Sequence, residues 1–255
     1  MIPTKRSSLS AQSPIILALE TATFCGSVAL VAGDRCIAEH SLQTGLTHSR
    51  SLHVGIDRLM KDTALEWADI DSIAVSSGPG SFTGLRIGMS TAKGLAMAAK
   101  KPLLGVPTLD GLANQLGFTS HLICPVLDAR KKQVFAAFYR CPDHGRPQRL
   151  GEYMVLEPAR LVRMIKEPVI LIGDGVERYQ AIFQNPERPI MIPPAGIYFP
   201  RAACIGVLAV ELWAKEEFLD LASAVPIYIR PSDAEINFPE GNPGLKTLVQ
   251  TPSQS

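Results

Sequence analysis

An α/β fold in two successive halves is what this sequence predicts, on three observations. Short apolar runs of strand length, Ile15-Ile-Leu-Ala-Leu19, Ser27-Val-Ala-Leu-Val31 and Ser72-Ile-Ala-Val-Ser76 among them, alternate with segments of helical periodicity. A strand, a glycine loop and a helix follow one another directly over residues 72–76, 77–83 and 84–100. A second series of strands opens at Ile123, after the first α/β unit has closed.

In chain order, residues 1–13 are polar and Ser-rich and are expected to form a flexible tail. The runs 15–19, 27–31 and 36–41, with turn chemistry at Ala32-Gly-Asp-Arg35, read as three antiparallel strands. Leu52, Ile56, Leu59 and Met60 recur at helical spacing over residues 49–61, and Thr63-Ala-Leu-Glu66 has the form of a capping box opening a short helix. After the strand 72–76 and the helix 84–100, residues 103–106 and 108–116 complete a unit spanning 14–117. Residues 123–128 and 133–139 flank Ala129-Arg-Lys-Lys132 as a hairpin with a basic turn. Residues 141–149 read as a surface loop, 158–166 as a helix with proline in its first turn, and 169–172 as a strand ending at Gly173-Asp-Gly175. Residues 184–200 are proline-rich and irregular, and 202–215 are helical. The second unit is expected over 118–231, with a flexible tail at 232–255.

Composition removes several function classes. With 25 basic and 24 acidic residues the net charge is +1, which gives the whole chain no strong attraction to a polyanion. Five dispersed cysteines, an odd number without a C-x-x-C pair, argue against a disulfide framework and a zinc knuckle, and suit a reducing cytosol. No apolar signal core follows the N-terminal residues, and no window supplies the ~18 uncharged apolar residues of a membrane span.

The loop Ser77-Gly-Pro-Gly-Ser-Phe-Thr83 frees its backbone to approach an anion at the following helix N-terminus. It is not a Walker A loop, because Leu85 and Arg86 follow Gly84 where Lys is required. Nor is it a nucleophile elbow, because Pro79 stands where the first Gly of G-x-S-x-G belongs; Ser81 reads as a loop hydroxyl or helix cap. His48 and His53 are five apart and diverge on a helix, which defeats zinc ligation of the H-E-x-x-H kind. Asp128-Ala-Arg130 reads as a turn stabilised by local charge. Gly84, Gly88 and Thr91 form a ridge that admits a second backbone; internal packing is the commoner use of such a ridge and a subunit interface the sharper one.

Taken together, Ile16-Leu-Ala-Leu-Glu-Thr-Ala-Thr23, Ser76-Ser-Gly-Pro-Gly-Ser-Phe-Thr-Gly-Leu-Arg-Ile-Gly88 with Thr91-Ala-Lys-Gly-Leu95, Leu127-Asp-Ala-Arg130, Gly173-Asp-Gly175 and Pro226-Ile-Tyr-Ile-Arg-Pro231 resemble the bacterial TsaB (YeaZ) family. The resemblance implies an actin-like ATPase (ASKHA) fold of two mixed-sheet subdomains with flanking helices. It implies a scaffold that pairs with a TsaD-type transferase subunit and a TsaE-type ATPase, reaches tRNA only through that complex, and forms a homodimer when alone. The pairing surface it implies is the first two helices, with Leu52, Ile56, Leu59, Gly84, Leu85, Gly88, Met89, Thr91, Ala92 and Leu95 as contacts. Thr21, Thr23, Ser81, Asp128, Gly173 and Gly175 fall in a degenerate nucleotide cleft, where Asp174 should repel phosphate, so no cofactor beyond weak ATP or ADP binding is expected. The transferase's H-x-x-x-H metal motif has no counterpart, so no catalytic or metal-binding residue is expected. The alternatives are an ATP-binding or ATP-hydrolysing enzyme of the same fold and, further off, a metal-dependent peptidase. A cytoplasmic, membrane-free location is expected.

Overall fold

The computed structural model describes residues 13–43, 48–184 and 187–229, so that, Ser13 apart, the two tails expected at 1–13 and 232–255 lie outside the described residues. The described chain is organised on two five-stranded sheets. In the first, β1 (Ile15–Glu20), β2 (Gly26–Ala32) and β3 (Arg35–Leu42) pair antiparallel, while β4 (Ser72–Gly78) and β5 (Leu103–Pro107) add in parallel on the other side of β1, in the order β3-β2-β1-β4-β5. In the second, β6 (Leu122–Asp128), β7 (Val134–Arg140) and β8 (Gln148–Leu156) pair antiparallel, and β9 (Val169–Ile172) and β10 (Ile190–Met191) add in parallel beside β6. The same path is traced twice, which is the actin-like ATPase architecture.

Helices cover both faces of the first sheet, so β1, β2 and β4 are buried along their whole length and read as unbroken apolar runs. On one face, α1 (His48–Thr63) and α2 (Phe82–Ala99) bury Leu52, Ile56, Leu59, Met89 and Ala92 against Leu17, Leu19, Val28 and Val75. On the other, α7 (Ala202–Ala214) packs Ala202, Ile205 and Ala209 against Ile16, Ala18, Ala74 and Leu104. Gly206 makes this close, since a Cβ there would run into Val31. Residues 195–214 are long and apolar enough by composition to cross a membrane, but this burial makes α7 a core helix of the first sheet.

The expected boundary at 117/118 falls between the two sheets but does not divide the helices, and the one expected at 231 lies outside the described residues. Far in sequence from the first half, α7 completes it, and Leu219 bridges back to Leu103. In the other direction α3 (Thr108–Ala113) puts Leu109, Leu112 and Ala113 into the core of the second sheet. Its Asp110 Oδ1 accepts hydrogen bonds from Tyr139 at 2.5 Å and Tyr153 at 2.8 Å. The remaining short helices, α4 (Pro158–Met164), α5 (Asp174–Arg178) and α6 (Gln180–Phe183), cover the far side of the second sheet.

Three local expectations are corrected. Thr63 does not open a helix; its hydroxyl donates to the Leu59 carbonyl at 2.7 Å as α1 ends, and the capping pair is Glu66 and Asp69, joined by Glu66 N to Asp69 Oδ2 at 2.9 Å. The loop expected at 141–149 gives way at Gln148 to β8, an exposed edge strand whose polar residues hide the strand pattern. Within the irregular 184–200 stretch, Ile190–Met191 forms β10, too short to show any periodicity.

Candidate functional site

The duplicated topology brings the expected cleft residues to equivalent places in the two halves. Glu20 to Thr23 leave the end of β1, as Asp128 to Arg130 leave the end of β6. Gly78 closes β4 before α2, as Gly173 closes β9 before α5, and both glycines have positive φ, 110° and 130°, which the turn into the helix requires.

In the first half the chain itself fills the space between the two loops. Thr21 is buried and its hydroxyl donates to the Gly84 carbonyl at 2.9 Å. Ser81 N donates to the Ala22 carbonyl at 2.6 Å, and the Ser81 hydroxyl caps α2 by accepting from Gly84 N at 3.3 Å. A Cβ on Gly80 would strike Ala22, one on Gly84 the Thr21 carbonyl oxygen, and one on Gly88 the Thr21 hydroxyl. Thr23 is buried and bonded to the Cys25 backbone. These glycines thus serve the contact between α2 and the β1–β2 loop.

Glu20 lies at the centre of this arrangement. It is fully buried, its Oε1 accepts from Ala22 N at 2.5 Å, and its Oε2 has no partner. Burial, only partly offset by the hydrogen bond from Ala22 N and by the nearby Ser76 hydroxyl and Thr21 N–H, pushes the carboxyl up to about 7.

In the second half, Gly173 and Gly175 press on the backbone of Val126 and Leu127. Asp174, between them, accepts from Asp128 N at 3.0 Å, and burial raises its carboxyl above the usual range. Asp128 holds Arg130 at 3.3 Å and Arg178 at 3.2 Å and accepts from the Tyr179 hydroxyl at 3.3 Å. These two glycines approach the backbone of β6 closely. Among the described residues no three His, Cys, Asp or Glu side chains converge as a metal site.

The contacts expected on the two helices are also redistributed. Leu52, Ile56, Leu59, Leu85, Met89 and Ala92 are buried, and Gly84 and Gly88 face Thr21, so these eight do not form an exposed face of the chain on its own. Thr91 and Leu95 lie half-buried on the flank of α2. The exposed face of α2 is instead the row Ser90, Gly94 and Ala98, flanked by Met97, 67% exposed, and half-buried Ile87. Gly94 is mid-helix, and nothing lies within 4 Å of where its Cβ would be. On α1, Val54 is exposed at 59% beside the surface ion pair of Asp57 and Lys61.

Comparison with known proteins identifies this arrangement. The family model described as tRNA N6-adenosine threonylcarbamoyltransferase (TsaD) matches residues 43–238. The tRNA threonylcarbamoyladenosine biosynthesis protein TsaB of Bacillus subtilis is 30% identical over 229 residues, covering 88% of this chain and 98% of that protein. The TsaB of Haemophilus influenzae is 34% identical, covering 86% and 94%. The chain belongs to the TsaB family. Among solved structures, YeaZ from Pseudomonas aeruginosa superposes with a TM-score of 0.73 at 26% identity, over 85% of this chain and all of that one. A second Pseudomonas aeruginosa structure, described as similar to peptidase YeaZ, gives 0.74 at 28% identity and the same coverage. The exposed row of this TsaB-family helix was present in the sequence as small residues at i, i+4 and i+8. It was masked by the parallel Gly84 and Gly88 row, because spacing does not say which face the sheet takes.

Proposed function

We propose that this chain is a non-catalytic subunit of tRNA threonylcarbamoyladenosine biosynthesis, which docks the outer face of α1 and α2 on a TsaD-type transferase. The observation that carries the docking face is Gly94. A mid-helix glycine costs about 1 kcal/mol relative to alanine, and elsewhere on α2 the close approach of Thr21, by its carbonyl at Gly84 and its side chain at Gly88, accounts for that cost. Among the described residues nothing lies within 4 Å of where a Gly94 Cβ would be, and the row Ser90, Gly94 and Ala98 admits a second helix at short interaxial distance. Exposed Val54 and Met97 add apolar surface beside it.

The same face accounts for a homodimer of the free chain, which the transferase would displace. Docking would act on the transferase by favouring one arrangement of its cleft and completing a site for a TsaE-type ATPase. On this reading tRNA is met only within the complex, in the cytosol, and the chain itself uses no nucleotide. The packing of Gly80 and Gly84 on the β1–β2 loop supports that last point over the ATPase alternative.

Gly94→Lys is the direct test, because the position is open and lysine is a better helix former than glycine. The variant is expected to unfold no earlier than the unaltered chain and to elute as a monomer. In size-exclusion chromatography with light scattering it should fail to co-elute with the transferase, whereas Arg163→Ala on α4 should still do so. Normal co-elution of Gly94→Lys would remove this face from the interface.

A further inference from the structure

Continued toward the start of α2 at the same spacing, the row Ala98, Gly94 and Ser90 reaches Arg86 and Phe82, both exposed, so the outer stripe of the helix ends in a cation and an aromatic ring. The segment that follows α7 runs back across this end of the helix. Lys93 Nζ donates to the carbonyls of Ala224 at 3.1 Å and Ala222 at 3.4 Å, and Ile227 N donates to the Ser77 carbonyl at 2.7 Å. Gly78 admits this approach, since a Cβ there would strike the Ile227 carbonyl oxygen.

Tyr228 is thereby placed beside the stripe. The Arg86 guanidinium lies 3.9 Å from the centre of the Phe82 ring, its Nε donates to the Tyr228 hydroxyl at 3.2 Å, and the two rings are 5.1 Å apart. Neither ring belongs to a hydrophobic core; Phe82 is 37% and Tyr228 38% exposed. A guanidinium held by a ring on its face and a hydroxyl at Nε keeps its two terminal nitrogens aligned for a carboxylate, with little side-chain freedom left to lose. Among the described residues no carboxylate forms an ion pair with Arg86, and α2 itself contains no acidic residue.

We propose that Arg86, held between Phe82 and Tyr228, takes a carboxylate of the transferase and so makes the docking face prefer that partner to a second copy of this chain. The proposal rests on the reading of the outer face of α1 and α2 as the docking surface, and it adds what tells the two partners apart. In a homodimer through this face the opposing α2 offers no acid, and the opposing α1 offers only Asp57 and Asp62, already paired with Lys61 and Arg58. Covering Arg86 there removes its water without supplying a counter-charge, which disfavours the pairing. A carboxylate from the transferase completes the pair, and the flanking rings exclude water around it.

The test compares Arg86→Met with the unaltered chain in two measurements, calorimetric titration with the transferase and sedimentation equilibrium of the chain alone. Methionine keeps an unbranched apolar side chain against Phe82 and removes the charge. Affinity for the transferase should fall about thirtyfold, while the homodimer should be as tight as before or tighter. Raising the NaCl concentration should weaken the unaltered heterocomplex and affect the variant's much less. Arg86→Lys, which keeps the charge without the planar fork, should lie between the two. A transferase affinity within about twofold of the unaltered chain would overturn the proposal, as would equal weakening of the homodimer, which would leave Arg86 without selectivity. Hydrogen exchange at the Ile227 and Leu219 amides of the free chain should be the same in both proteins. Faster exchange there in Arg86→Met would mean that the arginine only fastens the segment after α7, and that too would overturn it. Gly94→Lys separates the two readings. If it binds the transferase normally, the docking face falls and this proposal with it; if it fails to bind while Arg86→Met binds normally, only this proposal falls.

Discussion

Gly84→Ala is expected to destabilise the protein by about 3 kcal/mol, and Gly94→Ala, in the same helix, to stabilise it by up to about 1 kcal/mol. Alanine is the better helix former at both positions, so propensity alone predicts two gains. At Gly84 the added methyl group overlaps the Thr21 carbonyl oxygen, a backbone atom in a buried loop that cannot rotate away. Relieving that overlap separates α2 from the β1–β2 loop and strains or breaks the buried hydrogen bond from the Thr21 hydroxyl to the Gly84 carbonyl. At Gly94 the methyl group enters open space and only the helix gains. Urea unfolding of both variants at constant m-value reads the difference. A Gly84→Ala protein within 1 kcal/mol of the unaltered chain would mean that the loop contact is far softer than its packing indicates. For the same reason a substitution at Gly88, which faces the Thr21 hydroxyl, would unfold the chain rather than report on a partner.

The second large effect is a pH dependence set by Glu20. Burial raises its carboxyl from 4.5 to about 7, so between those values the folded protein holds a proton that the unfolded chain has released. Stability should therefore fall as pH rises through this window and level off above it. A carboxyl raised from 4.5 to about 7 corresponds to about 3 kcal/mol across this window. Glu20→Gln keeps the shape of the neutral acid and cannot ionise. It should abolish this slope, be more stable than the unaltered protein at pH 8, and match it or fall slightly below at pH 5. Urea unfolding at pH 5, 6, 7 and 8 measures this. Parallel curves for the two proteins would show that Glu20 keeps an ordinary carboxylate value. Glu20 lies within the Ile16–Thr23 motif, but nothing in the sequence showed its burial, because a Glu at a strand end carries no sign of it; the tertiary packing around the end of β1 creates it.

Much of the fold was legible because the central strands are buried on both faces and so appear as continuous apolar runs. Residues 15–19, 27–31 and 72–76 are found within β1, β2 and β4 for that reason. The edge strand β8 was not legible, since Gln148, Arg149, Gly151 and Glu152 face solvent and neither face imposes an apolar pattern. The loops of the site were found as motifs, but their use was not. Gly84 and Gly88 leave room for a close neighbour in any helix, and only the folded chain shows that this neighbour is Thr21, through its carbonyl at Gly84 and its hydroxyl at Gly88.

The central strands of both sheets, the longer helices, the glycine loop before α2, the basic turn after β6 and, through its motifs, membership of the TsaB family could be read from the amino-acid sequence. Those properties are local, fixed by side-chain periodicity and backbone freedom within a few residues. Only the tertiary structure decided that α7 completes the first half, that the Gly84 row faces inward and the Gly94 row outward, and that Glu20 is sealed from water. Each of these depends on which surfaces meet across long sequence separations, and helical spacing alone is silent about which face of a helix meets the sheet.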